Sequence, residues 1–269
     1  MTQRILRRPA RVAAIAAAIA LACLLAQPEL HAQRGAAPAP QGPAQSPWAA
    51  APIDLTGYWV SIVNEDWRWR MVTPPKGDTA SVPLNARGTQ TANAWDPATD
   101  GSCKAFGAAG LMRMPTRLHI TWADDHTLKI ESDNGEQTRL LRFDTAAAPA
   151  EKSLQGFSRA EWEREVAGRG APGGGNVGAV NPRVGGDLKV VTTDLSGGWL
   201  RRNGVPYSAD ASVTEYFDRF PVPNGGEWFV VTTVVHDPMY LQTDFITSSH
   251  FRREPDGSKW APTACKQAE

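Results

Sequence analysis

His119, Glu131 and Arg139 are the side chains in this chain whose types and spacing best suit proton transfer or the fixing of a polar ligand. A carboxylate flanked by an imidazole and a guanidinium can act as a general base or hold a polar group between them. Whether the three meet depends on strand register. Leu118, Ile120 and Trp122 alternate with Arg117, His119 and Thr121, and Leu128 and Ile130 alternate with Thr127, Lys129 and Glu131. Placing Trp122 opposite Leu128, Ile120 opposite Ile130 and Leu118 opposite Ser132 gathers the apolar set on one face; a one-residue slip mixes the faces. Asp133-Asn134-Gly135 suits a three-residue turn with Gly135 at positive φ, which sets Glu131 opposite Arg139 and Ile130 opposite Leu140. The predicted row is therefore His119–Glu131–Arg139. Turned into a barrel lumen it is a candidate catalytic pair, His119 and Glu131, with Arg139 as a ligand contact. Turned outward it is a solvated charge row.

A second group is Glu65-Asp66-Trp67-Arg68-Trp69-Arg70. If extended, Trp67 and Trp69 share a face as an aromatic wall, and Arg68 and Arg70 reach an anion from the other; a core tryptophan pair with surface arginines is the alternative. Trp59, Arg117, Tyr216 and His236 complete the candidate ligand contacts. Beyond the N-terminal leader described below, the histidines are His119, His126, His236 and His250, in no metal-ligand spacing. Met112 and Met114 could suit Cu(I), but no histidine cluster accompanies them. No metal or cofactor is predicted. No Gly-x-Ser-x-Gly elbow is present.

These residues need strands to position them. The period is two, with β runs at Tyr58 to Val63, Arg139 to Phe143, Leu188 to Thr193, Val213 to Phe220, Trp228 to Val235 and Ser248 to Arg253. Turn signals such as Asn134-Gly135 and Asp256-Gly257 separate the runs. Short strands at hairpin spacing predict an all-β fold, an antiparallel barrel or else a sandwich. Helix is confined to a turn around Thr89 to Trp95. Residues 167–186, of which eight in twenty are glycine, read as a long loop that is either a lid or an insertion.

The N-terminus predicts export. Arg4, Arg7, Arg8 and Arg11 precede an apolar run from Val12 to Ala26, and cleavage is expected after Ala32. Residues 33–52 form an Ala/Pro-rich tether, and 53–269 a single β-rich domain. The chain has 28 basic and 28 acidic residues; losing four arginines and Glu29 leaves 24 and 27, a net charge of −3. That balance argues against nucleic acid as a partner, and no later apolar run approaches the roughly 20 residues of a transmembrane helix, so no stable membrane insertion is expected after cleavage. The periplasm or the exterior is the expected location. Cys103 and Cys265 remain, and an oxidising compartment predicts that they bond. Closing that loop would contribute about 4–5 kcal/mol on a chain-entropy model.

An ordered set of motifs carries a family resemblance. Asp54-Leu55-Thr56-Gly57-Tyr58-Trp59, Asp96-Pro97 followed by Cys103, and Met114-Pro115-Thr116-Arg117 come first. Gly156-Phe157-Ser158-Arg159-Ala160-Glu161-Trp162-Glu163, Val213-Thr214-Glu215-Tyr216-Phe217 and His236-Asp237-Pro238-Met239-Tyr240 follow. In this the chain resembles a large family of secreted bacterial proteins to which no activity is attached. The resemblance implies secretion and a lipocalin-like antiparallel barrel. The expected function is binding of a small, largely apolar or aromatic ligand in the barrel. The rivals are an isomerase, lyase or hydrolase using His119 and Glu131 in the same cavity, and a carbohydrate-binding sandwich with Trp67 and Trp69 as its platform.

Overall fold

The computed structural model describes residues 45–100, 103–163, 188–223 and 225–265. The export leader, its cleavage point and the glycine-rich stretch 167–186 lie outside the described residues. The strands are β1 (Gly57–Ile62), β2 (Arg117–Asp124), β3 (Thr127–Ser132), β4 (Asn134–Gly135), β5 (Thr138–Arg142), β6 (Phe157–Trp162) and β7 (Leu188–Thr193). They continue as β8 (Gly198–Arg201), β9 (Val205–Tyr207), β10 (Ser212–Pro221), β11 (Glu227–His236), β12 (Phe245–Glu254) and β13 (Thr263–Ala264). Nine of these close into a barrel in the order β1-β12-β11-β10-β7-β6-β5-β3-β2.

A ring of nine strands cannot alternate direction all the way round, so at least one neighbouring pair must run parallel. That pair is β5 with β6, joined only through Leu141–Ser158 and Arg142–Arg159. The barrel is all-β, as the periodicity predicts, but mixed rather than purely antiparallel.

The β2–β3 hairpin has the register that the apolar pattern demands: His119 faces Glu131, Ile120 faces Ile130 and Trp122 faces Leu128. The β3–β5 register does not follow the three-residue turn. Ile130 faces Arg139 and Glu131 faces Thr138, a slip of one residue. The connection is one residue shorter than the expected register needs: Ser132 N donates to Gln137 O at 2.9 Å, so Ser132 faces Gln137 and residues 133–136 form the loop. Gly135 takes the expected positive φ of 87°, and Glu136 joins it in the left-handed region at 47°. Within this loop Asn134 and Gly135 pair with β13, a ladder that the sequence pattern does not signal. Because side chains alternate, one residue of slip moves Arg139 to the inner face and Leu140 to the outer one.

The lumen holds side chains. Trp59, Leu118, Ile120, Leu128, Ile130, Leu141, Phe217, Phe229 and Phe251 are buried together. Phe229 stacks on Phe251 with centroids 4.8 Å apart and meets Trp59 edge-on at 4.8 Å. A second cluster includes Leu84 and Ala92 at the helix Ala86–Ala94, Val205 and Tyr207 from β9, and Val213, Val235 and Phe245 from the barrel wall. Asn85 caps that helix, its side chain accepting from Gly88 N at 2.9 Å.

Candidate functional site

The outer face of β2 and β3 carries the predicted acid–base pair. His119 Nδ1 lies 3.3 Å from Glu131 Oε2, and Lys129 Nζ lies 3.0 Å from the same oxygen. Tyr58 stacks on the His119 ring at 4.3 Å, with Trp260 edge-on at 5.9 Å. Leu118, Ile120 and Ile130 point the other way into the core, so this pair lies outside the lumen.

Arg139, expected beside Glu131, instead crosses the lumen to Glu215. Their contacts are bidentate, Nη1–Oε1 at 3.1 Å and Nη2–Oε2 at 2.6 Å, and both side chains are fully buried. Nη2 also donates to Thr192 Oγ1 at 3.3 Å, and that hydroxyl shares a 2.8 Å hydrogen bond with Ser158. Arg139 Nε and the Tyr207 hydroxyl have no hydrogen-bond partner among the described residues. Burial pushes the Tyr207 phenol up, with Arg139 acting in the opposite direction. Glu215 was legible in principle: Val213, Glu215 and Phe217 share one face of β10, which puts a charge on the apolar side of a strand.

The segment after β1 is a helical turn, Trp67–Arg70, not an extended run. Residues two apart on a helix point in different directions, so the expected two-ring wall does not form. Trp67 is 65% exposed. Trp69 has the guanidiniums of Arg68 and Arg201 over its ring at 4.9 and 4.6 Å, and its indole N–H donates to Asp78. Arg70 is buried and donates to Glu65 Oε1 at 2.6 Å. Burial holds its pKa below the ordinary arginine value, with Glu65 opposing.

Arg117 stands at a cleft of about 480 Å³ between β1, the start of β2 and the chain just before β13. Val60, Val63, Met71, Pro115 and Ala261 form its apolar wall, and Ser61, Thr116, Arg117 and Asn134 are among its polar groups. Arg117 Nε pairs with Glu254 at 2.9 Å, and Nη1 lies 3.8 Å from Asp133. Asp133 also accepts from Thr116 Oγ1 and from the Arg117 amide. The arginine's charge is thereby met within the protein. A second cleft of about 560 Å³ lies over the β5–β6 seam, with Leu140, Ala147 and Phe157 in its wall.

The remaining predicted contacts do not converge. Trp59 is fully buried in the core, its indole N–H donating to Leu55 O at 2.8 Å. Tyr216 lies on the outer face of β10, since its neighbours Glu215 and Phe217 point inward. His236 is exposed and bonds Asp244 at 2.8 Å. Cys103 and Cys265 lie at bonding distance with Cα atoms 5.5 Å apart, packed beside Phe106, Leu111 and Met114. The helices of the described residues include none long and apolar enough to cross a membrane. Comparison with family models, curated proteins and solved structures finds no match for this chain.

Proposed function

We propose that the protein is exported and binds a small, neutral, largely apolar or aromatic molecule in the cleft beside Arg117. The cleft carries this reading. Its volume falls within the roughly 300–1,000 Å³ of ordinary small-molecule sites, and an apolar wall faced by a few polar groups is their usual composition. The favoured ligand is neutral because Glu254 and Asp133 already offset Arg117, and an anion there would have to compete with both. Arg117 and Asn134 would orient the polar end of the ligand. Export is supported by the charged and apolar leader and by a cysteine pair at disulfide distance.

Titration with the neutral fluorophore N-phenyl-1-naphthylamine tests the reading. The expected result is saturable enhancement that Met71→Glu abolishes and Leu140→Glu leaves intact. Met71 is 54% exposed and Leu140 39% exposed, so both variants should fold. Enhancement that is lost with Leu140→Glu instead would move the site to the β5–β6 seam.

A further inference from the structure

Three arginines from separate segments meet around the turn Trp67–Arg70. Arg70, Arg113 and Arg201 are only 2%, 5% and 3% exposed. Arg70 Nε donates to the Arg113 carbonyl at 2.8 Å, which ties the first two together. Arg201, on β8, lies over the Trp69 ring, and Arg113 lies 5.6 Å over the ring of Phe245.

Their donors are not all used. Arg70 Nη1 reaches Glu65, and Arg113 Nη2 reaches Asp66 at 2.9 Å. Five of their buried guanidinium nitrogens have no acceptor among the described residues: Arg70 Nη2, Arg113 Nη1, and Nε, Nη1 and Nη2 of Arg201. Buried donors are nearly always bonded, and a whole guanidinium without one acceptor is a large departure.

The charges are also unequal. Glu65 and Asp66 offset Arg70 and Arg113. The next carboxylate, Asp78, is held by Arg68 at 2.9 Å and by the Trp69 indole at 3.1 Å. Arg201 is left with one positive charge that no bonded carboxylate meets. Burial, and then the like charge of Arg113, push it down to about 10. A buried cation in this state favours an anion beside it.

We infer that Arg70, Arg113 and Arg201 form a binding site for a small carboxylate monoanion. Arg202, whose Nη2 donates to the Arg70 carbonyl at 3.0 Å, is only half-buried and can be met by solvent, so the one fully buried unmet charge is that of Arg201, which favours a carboxylate over a phosphate dianion. The planar forks match a carboxylate's two oxygens. The rings of Trp69 and Phe245 beside two of the forks favour an acid with an apolar or aromatic body. This site is distinct from the neutral-ligand cleft, and the inference does not rest on that reading.

Calorimetric titration of the folded wild-type chain with sodium benzoate, with sodium phosphate and sodium chloride at matched ionic strength, tests the inference. Saturable binding of benzoate at one site per chain is expected, with neither comparator saturating. Arg201→Met should weaken benzoate by about ten- to a hundred-fold while the anion-free protein melts no lower than wild type, because the variant removes an unmet charge. Arg201→Lys keeps the charge but loses the fork, and should weaken benzoate by about ten-fold. A site that saturates with phosphate alone, no saturation with any of the three, or undiminished benzoate binding by Arg201→Met would each overturn the inference. If Arg201→Met does not fold, the wild-type titration and Arg201→Lys decide it.

Discussion

At the scale of single residues, the informative position is Arg139. Alternation along its strand was readable, but the face it occupies depended on one residue of turn length, which the Asn134-Gly135 signal does not fix. The structure thereby gains a buried ion pair instead of a surface row. Such a pair is costly to leave half-made: Glu215→Ala should destabilise the fold by about 3–5 kcal/mol, because it strands the Arg139 charge in the core. Replacing both partners, Arg139→Met with Glu215→Leu, should recover most of that loss. Urea denaturation of the three proteins would measure both effects, and a single variant as stable as wild type would show that Arg139 finds another partner. Arg201 shows the opposite limit of legibility. It lies in a four-residue strand, and no sequence periodicity brings it to Arg70 and Arg113.

At the scale of elements, long alternating segments were readable and short or mixed ones were not. β10, β11 and β12 grew from segments rich in β-branched and aromatic residues, although Glu215 sits on the buried face of β10, Ser249 on that of β12, and Val230 and Val234 on the outer face of β11. β6 reads Phe-Ser-Arg-Ala-Glu-Trp, whose charged and small residues do not announce a strand; pairing with β7 along its length fixes it. Alternating Trp and Arg at Trp67–Arg70 mimics a strand, but Asp66 at φ 52° starts a helical turn there. The ladder of β4 with β13 is only two residue pairs long, and the Cys103–Cys265 bond lies next to it. Cys103→Ser should therefore release β13, lowering stability by about 2–5 kcal/mol. Hydrogen exchange should show the Thr263 amide, which donates to Asp133 O at 2.8 Å, losing protection while β10 to β12 keep theirs. Unchanged protection at Thr263 would show that the ladder stands without the bond.

At the scale of the whole molecule, nine strands require a parallel seam, and carboxylate–arginine contacts help to fasten the opposite side of the ring. Glu227 on β11 bonds Arg253 on β12 at 2.6 Å and also pairs with Arg219 on β10. The hydrogen bond from Arg253 is the largest influence on Glu227; burial opposes it and Arg219 assists, and the carboxyl is held below its usual range. A lowered folded-state value means stability that is present above the unfolded value of about 4.3 and lost as pH falls through the folded one. Glu227→Gln should thus melt below wild type at neutral pH, with the gap closing as pH drops below about 4. A gap in melting temperature that persists at lower pH would assign it to packing instead. The central claim is that a neutral, largely apolar molecule binds in the cleft beside Arg117. Its most direct test is mapping of backbone amide shifts by nuclear magnetic resonance as N-phenyl-1-naphthylamine is added. Saturable shifts concentrated at Val60, Val63, Met71, Thr116 and Ala261 are predicted; saturable shifts confined to β5 and β6, or no saturable shifts at all, would contradict it.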